Sequence, residues 1–119
     1  MRIARNSRLA AIRRRLRDEY DLDELELRLL TADLVLNLDV LCNDIEKGAK
    51  AGEWDQLQDA ADALSNLGRN IGQDDLVALA KTLKSEVADE AADTVVRLAK
   101  RLAEINREFE FKGRHVKTQ

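Results

Sequence analysis

Residues 51–83 read AGEWDQLQDAADALSNLGRNIGQDDLVALAKTL, and two helical periods show in them. Leu57, Ala61, Leu64, Gly68 and Ile71 recur at spacings of three and four, which puts them on one face of a helix over about Asp55 to Ile71. Gly72 ends that helix. A second stripe, Leu76, Leu79, Ala80 and Leu83, follows Asp74 and predicts a helix to about Val87. The two apolar faces, joined by a few residues, ask to be packed against each other and against something more.

The flanks supply it. Upstream, Leu34, Leu38, Leu41 and Ile45 form a stripe in a helix over about Ala32 to Ala51, with Thr31 as its expected N-cap and Ala51-Gly52 as its end. Downstream, Val95, Leu98, Leu102, Ile105 and Phe109 predict a helix over about Glu90 to Phe111. Before all of these, Leu9, Ile12, Leu16 and Tyr20 share one flank of a helix over about Asn6 to Tyr20. Asp21 and Asp23 then offer caps for a short acidic turn of helix, Glu24 to Leu30. Four amphipathic helices with short connections predict an all-α fold: an antiparallel four-helix up-and-down bundle with an additional N-terminal helix. The expected organisation is a basic head over 1–20, the bundle over 21–111 and a flexible basic tail over 112–119.

Composition agrees. The chain has 119 residues, no Pro, five Gly and four aromatic residues, so its single core must be aliphatic. A lone Cys42 cannot form an intrachain disulfide and is expected as a small buried hydrophobe. Trp54, at a helix start, is expected as a core plug. No apolar run approaches the ~20 residues of a membrane span, and the Arg-rich start lacks a secretory apolar stretch, so a cytoplasmic location is expected. The net charge of −3 conceals an asymmetry: residues 1–17 carry seven arginines and no acid, leaving −10 on the remainder.

With Trp54 and the two turn glycines in place, the stretch resembles the central helix pair of histidine-phosphotransfer (HPt) domains. Those run roughly A-G-D-W-x-x-L, then A-H-x-L-K-G, then L-G and a leucine-spaced helix. Gly52, Trp54, Leu57, Ala61, Leu64, Ile71, Gly72, Leu76, Leu79 and Leu83 fall in register, with Glu53 in place of the Asp. With its flanking helices the resemblance covers about residues 31–110. It implies a helical bundle that docks the receiver or kinase domains of two-component signalling.

The departures bear on chemistry. Asp62 stands where the resemblance implies the phosphoacceptor histidine, Ser65 where it implies a Lys, and Asn66 where it implies a Gly. A carboxylate is the poorer nucleophile, and its acyl phosphate hydrolyses readily. The cation that would offset phosphate charge is also missing at Ser65. The expectation is a non-catalytic pseudo-phosphotransfer protein, not an enzyme, that competes for or scaffolds a receiver or histidine-kinase domain. Gln58, Asp62, Ser65, Asn66 and Arg69 would form its docking face. His115, the single histidine, lies in the tail and is expected to be a bystander.

No metal or cofactor is expected. One His and one Cys leave only carboxylates, and neither a calcium loop nor a phosphate loop is present. The head, Arg5, Arg8, Arg13, Arg14, Arg15 and Arg17, leaves alternatives open. It could pack on the bundle or on a second copy in a homodimer, meet an acidic protein, or bind nucleic acid or an anionic membrane. A helical adaptor acting through this head is the rival reading.

Overall fold

The computed structural model describes the backbone of residues 2–109 and the side chains of residues 8–109. These form five helices, α1 (Arg2–Glu19), α2 (Glu24–Ala51), α3 (Trp54–Asn70), α4 (Asp74–Ala88) and α5 (Ala92–Arg107). No strand occurs among the described residues. The last helix ends at Arg107, short of the expected Phe111, because Glu108 caps it and Glu108–Phe109 form a turn closed on Ile105 and Asn106. The 112–119 tail, His115 and the Arg5 side chain lie outside what is described.

α2 differs from its sequence expectation. Thr31 is not a cap. A single helix runs from Glu24, so the expected short turn and the following long helix are one element. Its start is fixed by a capping box at Asp23: the Asp23 carboxylate accepts the Glu26 N–H at 2.8 Å, and the Glu26 carboxylate accepts the Asp23 N–H at 3.0 Å. Leu27 and Thr31 are both buried on the face that continues through Val35, Leu38, Cys42, Ile45 and Ala49. Burial therefore carries the helix through the would-be break. The Thr31 hydroxyl donates to the Leu27 carbonyl at 2.7 Å, which removes its incentive to cap. Leu34 and Leu41, expected in the core stripe, are half-buried at its edge beside α3.

The expected faces of α3 and α4 are all buried: Leu57, Ala61, Leu64, Gly68 and Ile71 from one, Leu76, Leu79, Ala80 and Leu83 from the other. The leucine and isoleucine side chains among them contribute ~1.5–3 kcal/mol each when fully buried. Gly52 and Gly72 close the turns that follow α2 and α3 at φ of 68° and 70°, the left-handed region that side chains resist. In α5, Val95, Leu102, Ile105 and Phe109 are buried and Leu98 is half-buried. Trp54 is half-buried, packed against the core at the start of α3, and Cys42 is buried.

α2 packs against α3 and α5, α4 packs against α3 and α5, and α1 packs against α2. α1 buries Leu9, Ile12 and Leu16 against the rest. Tyr20, expected on that flank, is 53% exposed instead. α1 ends at Glu19, so Tyr20 leaves the helical register that would have turned it inward.

Candidate docking face

α3 positions the face. Because Ala61 and Leu64 point into the core, Asp62 between them is carried outward, mid-helix and exposed, and Ser65, just beyond Leu64, is half-buried. Gln58 is half-buried, whereas Asn66 and Arg69 are exposed. The Arg69 guanidinium donates to the Ser65 hydroxyl at 2.9 Å, one turn away along the helix.

Asp62 is not a lone carboxylate. The Lys84 ammonium, from the facing side of α4, donates to Asp62 Oδ1 at 2.7 Å, both side chains about half exposed. Sequence reasoning missed this cation, because it lies 22 residues away and reaches Asp62 only through the packing of α4 on α3. Among the described residues the face therefore holds one charge-balanced pair, Asp62–Lys84, and one free positive charge, Arg69, which the Ser65 hydroxyl positions without neutralising. Asn66 turns away from them and borders a shallow groove between α3 and α2, walled by Leu34, Val40, Leu41 and Leu67. So the structure brings together Gln58, Asp62, Ser65 and Arg69 and sets Asn66 on an adjoining apolar surface.

Chemistry beyond recognition has few candidates. Among the described residues no group of His, Cys, Asp and Glu is arranged to hold a metal ion. Burial pushes the Cys42 thiol up to about 12, with Asp39 and Glu46 adding to the effect, which suits an inert core residue. No protein-family model, curated protein or solved structure matches the chain.

Among the described side chains of the basic head, Arg8, Arg13, Arg15 and Arg17 each engage an acidic group of the chain itself. Arg8 binds Asp75, at the start of α4, through both terminal nitrogens, one of them at 3.1 Å from Oδ1. The same side chain donates to Gln73 at 2.6 Å and to Glu108 at 2.7 Å, and it lies over the Phe109 ring at 5.8 Å. Hydrogen bonding to Asp75 raises the Arg8 pKa above its ordinary value, and the same contact holds the Asp75 carboxyl below its own. Arg13 and Arg17 both pair with Glu24, at 2.8 and 3.6 Å. Arg15 pairs with Glu19 at 3.5 Å and donates to the Arg69 carbonyl at 3.3 Å. Arg14 is exposed.

Proposed function

We propose that the chain is a non-catalytic docking protein. It would occupy the surface of a receiver or histidine-kinase domain as a competitor or scaffold, in the manner implied by its resemblance to HPt domains. The observation that carries the reading is the placement of Asp62: exposed, mid-helix on α3, between inward-facing Ala61 and Leu64. That is where the resemblance puts a phosphoacceptor, and a carboxylate already engaged by Lys84 is ill-suited to attack a phosphoryl group. The finer architecture belongs to the same proposal. The closed ring of contacts α2–α3–α4–α5, with each connection short, is what an antiparallel up-and-down four-helix bundle produces.

The rival, nucleic-acid binding through the head, draws less support. Arg8, Arg13, Arg15 and Arg17 are each engaged with acidic groups of the chain itself. Phosphate binding would have to break those contacts.

The test is a titration of the full chain against isolated receiver domains, followed by incubation with phosphorylated receivers. Saturable binding without stable label on this protein is expected. Acid-labile, base-stable phosphate on the wild-type chain would overturn the reading. Deleting residues 1–17 is a poor control, since it would uncover the surface buried by Leu9, Ile12 and Leu16. Arg14→Glu is the cleaner probe: loss of DNA binding with this exposed substitution, and no receiver binding, would favour the rival.

A further inference from the structure

α2 is apolar on two opposite sides. Its core face runs through Leu27, Leu38 and Ile45. On the side turned away from the core lie Leu25, Leu29, Leu36 and Val40, which are 65%, 64%, 57% and 51% exposed. Among the described residues, only Tyr20 joins these four as an exposed large apolar side chain. They form one line: Leu25 to Leu36 and Leu29 to Val40 are each eleven residues, three turns of helix, with exposed Ala32 between them. Isolated exposed leucines need no explanation, but a continuous stripe about 22 Å long on one helix does.

We propose that this stripe is the contact between two copies of the chain, α2 against α2, antiparallel, about a two-fold axis passing between Ala32 and Asp33. The spacing is self-complementary in that register. Leu25 meets Val40 of the second copy, and Leu29 meets Leu36, so every large side chain faces another. An antiparallel two-fold keeps each edge of the stripe beside the same edge of the other copy. On one edge this sets exposed Arg28 within about two residues of the height of Asp39 on the second copy, a half-buried carboxylate whose Oδ1 accepts from Asn106 of its own copy at 2.9 Å, so that an opposite-charge pair is made twice. On the other edge Asp33 meets its own copy near the axis, so one like-charge contact opposes the association. A shallow groove bordered by Leu22 and Leu30 flanks the stripe and gives the opposing side chains room to seat. A parallel pairing loses this, since it sets each edge beside the opposite edge of the other copy and parts Arg28 from Asp39. The inference needs no receiver, and whether the Asp62 face binds anything does not affect it.

Sedimentation of the full chain over a concentration series tests it. A dimer should form by about 0.5 mM, and Leu29→Glu or Leu36→Glu should return it to monomer with unchanged helical content. Arg28→Glu should weaken the dimer by roughly three- to ten-fold, whereas Asp33→Asn should tighten it. Single cysteines report the register. Ala32→Cys should cross-link on oxidation because it sits beside the axis. Leu25→Cys should not, because its copy lies about 22 Å along the helix. Cys42 is 6% exposed and does not compete. A wild-type chain that stays monomeric at about 0.5 mM, a dimer that survives Leu36→Glu, or equal cross-linking at both positions would overturn the proposal.

Discussion

Arg8 of α1 grips the carboxylate of Asp75 in the first turn of α4, a residue 67 positions away, and through it ties the N-terminal helix to the α3–α4 end of the molecule. The Arg8 side chain is 17% exposed, and its other partners, Gln73, Glu108 and Phe109, converge on the same place. A residue that looks like part of a solvent-facing basic head is a structural fastener. Planarity matters here, because one guanidinium serves two carboxylates and an amide while lying over a ring.

Replacing it should show as much. Arg8→Ala leaves buried Gln73 without its donor and both carboxylates unpaired, and should cost about 1–3 kcal/mol in denaturant unfolding. Arg8→Lys should recover only part, since an ammonium cannot reproduce the fork. Hydrogen exchange should report the loss chiefly in α1, with α3 and α4 protected as before. Uniform loss across all helices would mean that α1 docking and the bundle are one cooperative unit.

Acid should loosen the same joint. Asp75 has its pKa lowered chiefly by the hydrogen bond from Arg8. The stability it contributes is therefore present above its unfolded pKa of about 3.9 and is lost as pH falls through the lower folded value. The Asp75 side chain is 48% exposed, so the effect is small. Stability measured from pH 6 downward should fall more gently below about pH 4 in Asp75→Asn than in the wild type. Identical acid limbs in the two proteins would remove Asp75 from the account.

At Gly68, α3 lies close against α4. A Cβ there would meet Val77 Cγ2 at 3.0 Å, and Leu76 Cβ and the Val77 backbone nitrogen at 3.2 Å. Two of those atoms are fixed by the α4 backbone, so the helices themselves must part. Gly68→Ala gains helix propensity in the middle of α3 but should still destabilise by about 1–3 kcal/mol. An increase in melting temperature would show that the two helices can slide apart freely.

How much of this is legible in the sequence differs from residue to residue. Gly68 falls on the expected inner face of α3 with Leu57, Ala61, Leu64 and Ile71, because core faces are written locally as a period. Thr31 misleads for the opposite reason. Its capping preference is local, whereas its burial beside Leu27 depends on tertiary packing, and packing wins. The partners of Asp62 and Arg8 are not legible at all. Lys84 and Asp75 are ordinary surface-type residues until α4 is docked, and no periodicity fixes how one helix is rotated against another. The exposed stripe on α2 could be seen in the sequence as leucines in excess of one face. Dividing that helix at Thr31 concealed its continuity.

The Asp62–Lys84 pair decides how the α3 face should respond to an acidic partner such as a receiver's phosphorylation pocket. An isolated Asp62 would be repelled there unless a divalent cation bridged the two. With Lys84 at 2.7 Å the pair presents little net charge, so the repulsion is largely cancelled before any partner arrives. The two single substitutions then act in opposite directions. Lys84→Ala uncovers the carboxylate and should weaken binding, with magnesium restoring part of it. Asp62→Ala frees the ammonium and should tighten binding with or without magnesium. Arg69→Glu should weaken binding as well, by removing a cation and its bond to Ser65. The pair is exposed and contributes at most ~1 kcal/mol to folding, so the variants should melt close to the wild type and the affinity changes can be read directly. Calorimetric titration of each variant against one receiver, with and without magnesium, gives all of these signs. If Asp62→Ala and Lys84→Ala shift affinity in the same direction, the partner touches the pair as a unit and net charge is not what it recognises. If neither shifts it, docking lies elsewhere on the molecule.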